Sequence, residues 1–569
     1  MRTAMIFICV LKFASAFSQI FETPSYPKGY FRNPLSIPIS LSGNFGELRS
    51  NHYHMGLDLR TNRVENLPVY AAAEGFISRI KIEPGGFGRA IYIDHPNGYT
   101  TLYAHLNNFF PALERYIKQK QYELESWNVQ LDLPPGQFPV KKGDFLAYSG
   151  NSGGSQAPHL HFEIRRTGDD VNVNPLLFGL PLADNTSPNI LRLAVYDRTK
   201  SLYEQSPRIV PVKKTGNNFT TSPSTIIVST PKVSFSIGAF DTHSGSTNAN
   251  GIFESILQLD GQPVVGFRMD NISYNDTRYL NAHIDYRTRS AGGPYLQHLS
   301  ELPGYIPTIY KQVSGDGVVD LSDGEPHALN VIVRDAYGNA STLTTNIRYD
   351  GSPVKQPADA GGKLFYPLML DAYEAENAEF FIGETSLYDS VHIRHIVSAP
   401  TAAGAVSESH TIGATYIPLQ SPVTVRLRPF RSLSPEEKER VVMLRVSGTR
   451  KEVQKVEWNN DWASARFREF GVYQLVFDDE PPVIVPVGIT DGANLSKATR
   501  IAFTIKDNNT SFKNFRAELD GQWLRFTNDK GRTFIYTFDE KCPAGDHELK
   551  VRVSDEAGNV TERVYRFRR

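Results

Sequence analysis

The chain has 569 residues, with 60 Lys+Arg against 61 Asp+Glu and a formal net charge of −1. That balance argues against a nucleic-acid protein, which needs a basic face to neutralise phosphates. With 40% hydrophobic and 11% aromatic residues the chain can build packed cores, roughly four of them at about 150 residues each.

The first segment predicts export. Arg2 precedes an apolar run from Ala4 to Leu11, and small residues follow at Ala14, Ala16 and Ser18. This reads as a signal peptide over residues 1–18, which places the mature protein in the periplasm, the cell envelope or outside the cell. No later stretch is long and apolar enough to span a bilayer, so no transmembrane segment is expected. Cys9 and Cys542 are the two cysteines. A disulfide framework and a Cys-ligated zinc site are both excluded, and any metal must be held by His, Asp or Glu.

Residues 19–183 form the histidine-rich part. Six of the 14 histidines fall between His52 and His161. Short β-rich runs alternate with Gly turns, as in Pro68–Ala72, Ala90–Ile93 and Thr100–Tyr103, which predicts a mostly antiparallel β domain. His54 and Asp58 lie four apart. His159 and His161 follow a Gly/Ser loop and, being two apart on a strand, project to one face, which Glu163 continues. A third cluster surrounds His105. Imidazole and carboxylate are the ligands zinc takes when thiolates are absent, and three protein ligands leave one position open for chemistry. Neighbouring histidines can carry protons for such a site.

These motifs, in order, resemble a family. His54-x3-Asp58, Pro68-Val-Tyr-Ala71 with Gly75, His95-Pro-Asn-Gly98 through Tyr103-Ala-His105, Lys142-Gly-Asp144, Gly150-Asn-Ser-Gly and Pro158-His-Leu-His-Phe-Glu-Ile164 are similar to those of the lysostaphin/LytM-type zinc metallopeptidases. The resemblance covers residues 50–164. It implies a Zn2+-dependent endopeptidase whose substrate is the peptide bridges of bacterial peptidoglycan. Carried over by position, it implies His54, Asp58 and His161 as metal ligands, and His105 and His159 as catalytic histidines. The family's short connection after Leu106 is here a long segment, residues 107–139. Leu113, Tyr116, Ile117 and Leu124 give it a partial helical stripe, which suits a surface decoration or a wall of the cleft.

Behind it, residues 184–350 and 478–569 repeat one pattern. His327 to Asn339 matches His547 to Asn559, and Leu-Asp-Gly-Gln occurs at 259–262 and 519–522. Val233–Ile237 matches Ile501–Ile505, and each copy opens on an acidic, Pro-bearing linker, Asp184–Pro188 and Asp478–Pro482. Alternating apolar residues predict two antiparallel sandwiches similar to bacterial immunoglobulin-like domains, the first carrying an insertion around residues 282–322. Residues 351–477 read as a further, unrelated β domain behind a linker at 357–362. The fold class expected is therefore mainly β: an antiparallel metallopeptidase domain followed by immunoglobulin-like β-sandwich domains. No ligand-like cluster stands out in the β domains, whose expected work is positioning or contact with an envelope protein partner. His392-x2-His395 and Asp316–Asp323 lack metal-site spacing, and His95 reads as structural. The rival class is a non-enzymatic envelope protein whose front domain binds peptidoglycan or a partner, with the β domains as spacers or adhesive modules.

Overall fold

The structure is a computed structural model that describes residues 20–569 except 24, 308, 354–360, 510 and 511. Residues 1–18, read above as a signal peptide, and most of the linker at 357–362 lie outside the described residues. Strands dominate and helices are few and short, so the protein is mainly β.

The front domain is built on an antiparallel sheet. Its strand order is Leu41–Gly43, Leu57–Arg60, His159–Arg166, Tyr99–Ala104, Arg89–Asp94, Gly75–Ile82 and Val129–Asp132. Tight turns set the order. Residues 95–98 reverse the chain between two of these strands, and Gly98 takes a φ of 82° there. Strand His159–Arg166 is central. Leu160, Phe162 and Ile164 point into the core and are fully buried, each contributing roughly 1.5–3 kcal/mol. His159, His161 and Glu163 occupy the opposite face. A slip of one residue would drive the histidines into the core, so the pattern fixes the register. That register sets His161 opposite both Asp58 and Ala104.

The long segment after Leu106 forms a helix, Pro111–Glu123, and the edge strand Val129–Asp132. Leu113 and Ile117 bury into the front core. Gln130 lines the cleft, so the segment supplies part of its wall.

The front sheet continues beyond residue 183. Asn271–Ile272 pairs with Asn172–Val173, and the Thr277 hydroxyl accepts from the Tyr53 amide at 2.9 Å. The first repeat, residues 184–350, therefore builds onto the front domain. Residues 363–477 add two five-stranded sheets and share one apolar core with the first repeat. The Arg278 guanidinium crosses between the two, donating to the Leu419 carbonyl at 2.6 Å.

The two repeat copies match in side-chain detail. Asp260 accepts from His327 and Asp520 from His547, each at 2.7 Å. The Asn339 amide donates to the Asp184 carbonyl, and the Asn559 amide to the Asp478 carbonyl. One feature departs from the wholly antiparallel expectation. Each copy has a parallel pair, Asn218–Val228 with Ala340–Tyr349, and Ala493–Asn494 with Val560–Arg568. These partners are far apart in sequence and joined by no hairpin, so nothing forces opposite directions.

The last copy folds back onto the front domain. Lys118 on the helix pairs with Asp539 and Glu540, Arg516 pairs with Glu125, and Tyr122 meets Trp523 edge to face.

Candidate active site

Four front-domain segments bring the site together. Gly56 sits between His54 and Asp58, and a Cβ there would fall 2.5 Å from the Phe162 carbonyl and 3.1 Å from the His161 ring. Only glycine lets the His54–Asp58 segment lie this close to the His161 strand. His105 ends strand Tyr99–Ala104 with a φ of 59°, a conformation a non-glycine residue adopts at a cost.

His54 Nε2, Asp58 Oδ1 and His161 Nδ1 converge, with separations of 2.9, 3.1 and 3.0 Å. All three residues are buried. Tetrahedral zinc with bonds of ~2.1 Å places its ligand atoms about 3.4 Å apart, so the donor set fits that ion in both type and spacing. Each of the three is oriented from behind. His54 Nδ1–H donates to the Asn44 carbonyl at 2.8 Å, which leaves Nε2 for the cluster. His161 Nε2–H donates to Glu163 at 2.9 Å, which leaves Nδ1. Arg49 holds Asp58 Oδ2 at 3.1 Å, which leaves Oδ1. Fixing tautomer and orientation in this way is what outer partners do at metal sites.

The electrostatics are strongly coupled. Burial alone would raise the Asp58 carboxyl, but His54, His159 and His161 hold it well below the usual carboxylate range. Burial also opposes ionisation of Glu163, yet Arg165, His161 and Tyr274 pull it down to about 2. Glu163 is thus a fixed negative charge beside His161. It accepts from Arg165 at 2.7 Å, Asn172 at 2.8 Å and Tyr274 at 2.6 Å.

His105 and His159 stand next to this cluster, their ring centroids 4.7 Å apart. His105 Nδ1–H donates to the Ser152 carbonyl at 2.9 Å, and His159 Nδ1–H to the Ala157 carbonyl at 2.8 Å. Both rings therefore present Nε2 as the exchangeable position. His159 Nε2 is 3.3 Å from Asp58 Oδ1. Burial, with His161 and His159 nearby, pushes His105 down to about 3, so it is neutral at neutral pH. The five residues singled out from sequence all line one open cleft of about 1,530 Å³.

The other histidines lie elsewhere. His95 is buried between the Glu74 carbonyl and Thr101. His392 pairs with Glu204, and His395 stacks on His410. His52 is exposed at the cleft rim.

Sequence reasoning missed four contributors. Tyr274 comes from the first repeat yet lines the cleft and bonds Glu163. Asn44 and Arg49 precede the first histidine motif and orient two of its members. Lys530, from the last repeat, donates to the carbonyls of Asn151, Gly153 and Ser155 at 2.6–3.0 Å, in the loop leading to His159.

Comparison with known proteins finds matches to three parts of the chain. Residues 52–122 and 123–175 match the model of Peptidase family M23. Residues 487–568 match a bacterial Ig-like domain, and residues 364–478 a Zu5-like domain. Over 193 residues the chain is 28% identical to DD-carboxypeptidase/endopeptidase Mpg of Neisseria meningitidis, covering 34% of this chain and 35% of that protein. It is 31% identical over 160 residues to an uncharacterized metalloprotease of Haemophilus influenzae, covering 27% and 28%. It is 25% identical over 167 residues to peptidoglycan DD-endopeptidase ShyA of Vibrio cholerae, covering 28% and 32%. The chain thus spans about a third of the length of these relatives.

Proposed function

From an M23 peptidase domain in front and a bacterial Ig-like domain at the end, we propose that the chain is an exported zinc metalloendopeptidase that hydrolyses peptide cross-links of bacterial peptidoglycan. The observation that carries this reading is the convergence of His54 Nε2, Asp58 Oδ1 and His161 Nδ1 beside two further imidazoles in an open cleft. Relatives of the M23 domain include a peptidoglycan DD-endopeptidase, which supports the substrate class.

His54, Asp58 and His161 are the residues that would hold the ion. Zinc, when bound, supplies Lewis acidity that acidifies water and polarises a peptide carbonyl. The chain's own residues do the rest. The Ser152 carbonyl keeps the His105 proton on Nδ1, so Nε2 faces the cluster as the position that can accept a proton from the attacking water. His159 is held in the same way and is set to stabilise charge developing on the scissile carbonyl oxygen or to return a proton to the leaving amine. Glu163, ionised and held by three donors, keeps His161 in the Nε2–H tautomer.

Incubation of the full chain with defined, cross-linked peptidoglycan fragments tests this. Peptide-bond cleavage that stops on chelation and returns with Zn2+ is expected. Binding of the fragments without cleavage in the zinc-loaded protein would favour the non-enzymatic envelope reading instead.

A further inference from the structure

A second cluster of ligand-type atoms lies outside the cleft, in a region where sequence alone suggested none. Asp184 comes from the linker that leaves the front domain. Asp241 follows strand Lys232–Phe240, and Asp335 follows strand His327–Arg334. One carboxylate oxygen from each lies within 4.8 Å of the others. The charged groups acting on Asp241 are Asp335 and Asp184, both negative.

An independent observation points to a ligand. Asp241 is 6% exposed, and its Oδ1 has no hydrogen-bond partner. Its neighbours are differently placed. Asp335 accepts the backbone N–H of Tyr337 and Asn339, and Asp184 accepts those of Thr186 and Ser244. All three line a small cavity of about 20 Å³, room for one water-sized sphere. A buried carboxylate with an unpartnered oxygen is costly unless it is neutralised or binds a cation. Burial and the two neighbouring carboxylates already push Asp241 up to about 7.

The repeat supplies a comparison. In the last copy Asp478 and Asp555 act on Asp507, whose Oδ1 is again buried without a partner. There, however, the amides of Asn508 and Asn509 donate to Asp478 at 3.3 and 2.8 Å. Among the described residues, no side-chain amide donates to the Asp184 carboxylate. In the first copy the Asn339 amide donates to Asp335 Oδ2 at 2.7 Å and the Ser244 hydroxyl to Asp184 Oδ1 at 3.2 Å, while Asp241 Oδ1 stays without a partner.

We propose that Asp184, Asp241 and Asp335 form a calcium site at the junction between the front domain and the first repeat. The donors are all oxygen, the choice of a hard cation, and the shell of calcium at 2.3–2.6 Å tolerates irregular carboxylate placement. The site has a direct line to the cleft. Asp241 and Asn250 exchange both backbone hydrogen bonds, at 2.9 and 2.8 Å. Gly251 is gripped by the Asn44 side chain through two bonds of 2.8 Å. The Asn44 carbonyl then accepts from His54. Calcium would therefore brace the loop that orients one of the residues assigned to zinc. Only this last link rests on the metallopeptidase reading.

The test is calorimetric titration of Ca2+ into the chelator-stripped full chain, with Mg2+ in parallel, and melting curves under the same conditions. We expect one strong calcium site, a dissociation constant of about 10⁻⁶–10⁻³ M, and a melting temperature raised by Ca2+. Asp241→Asn keeps the shape and removes the charge, so it should fold and lose this site; Asp335→Asn is the second variant. Asp58→Ala should bind Ca2+ as the parent does, which separates this claim from the zinc assignment. No calcium binding by the parent chain, unchanged binding in a folded Asp241→Asn variant, or equal binding of Mg2+ would overturn the proposal.

Discussion

Replacing Glu163 by Gln tests whether the candidate metal cluster is held by its surroundings. Glu163 is fully buried and receives His161, Arg165, Asn172 and Tyr274. Glutamine keeps the shape and one acceptor oxygen, so His161 can retain its hydrogen bond. The negative charge is lost, and the amide nitrogen turns a donor toward groups that also donate. Arg165, 3% exposed, then keeps one carboxylate partner, Asp170 at 3.1 Å, and its contacts with the Tyr92 and Tyr274 rings. Removing one member of a buried ion pair costs about 3–5 kcal/mol, and the surviving Asp170 contact places the expected loss near 3 kcal/mol. Zinc affinity should fall about 10–100-fold, because His161 loses the carboxylate that strengthens it as a ligand. Denaturant unfolding reads the first quantity and competition with a chromogenic chelator the second. Unchanged zinc affinity together with an unchanged unfolding midpoint would refute the claim that Glu163 orients and tunes His161.

Acid should destabilise the first repeat independently of the cleft. Burial holds His283 and His298 down to about 3, against an unfolded value near 6.5. Below 6.5 the unfolded chain takes up protons that the folded chain refuses. Stability is therefore complete above that value and falls as pH drops toward 3, by about 1.4 kcal/mol per pH unit for each histidine. Equilibrium unfolding at pH 7 and pH 5 measures this, and the decline should persist in Asp58→Ala; a flat profile contradicts it. Lys530→Ala removes three donors from the 151–155 carbonyls and should speed hydrogen exchange in that loop while leaving the helix Pro111–Glu123 protected by Leu113 and Ile117. Equal exchange in parent and variant would mean that the last repeat does not steady the loop.

Much of the site was legible because its chemistry lies on local patterns. The parity of a strand puts His159, His161 and Glu163 on one face, and four-residue spacing joins His54 to Asp58. The repeat was legible for a similar reason: matched strands and Gly-Asn turns recur at fixed offsets, and Asp260–His327 and Asp520–His547 form the same contact. What sequence did not reveal depends on packing between domains. Tyr274 reaches Glu163 only because Asn271–Ile272 adds to the front sheet. Asp184, Asp241 and Asp335 lie on three separate elements, and no motif spacing marks them. Lys530 meets the 151–155 loop because the last copy folds back on the helix of the long segment. A helical stripe announced that helix, but its outer face carried no sign of its partner.

The most direct test of the central claim compares zinc content and turnover in two neighbouring variants. His159 and His161 share one strand face, yet only His161 places a ring nitrogen within 3.1 Å of both His54 Nε2 and Asp58 Oδ1. His161→Ala is expected to lose zinc and cleavage together. His159→Ala is expected to keep one zinc while cleaving about 10²–10⁴-fold more slowly, the range for a general acid–base group. Loss of zinc from His159→Ala with retention in His161→Ala would reverse the two roles, and unchanged zinc and turnover in both would contradict the metallopeptidase account itself.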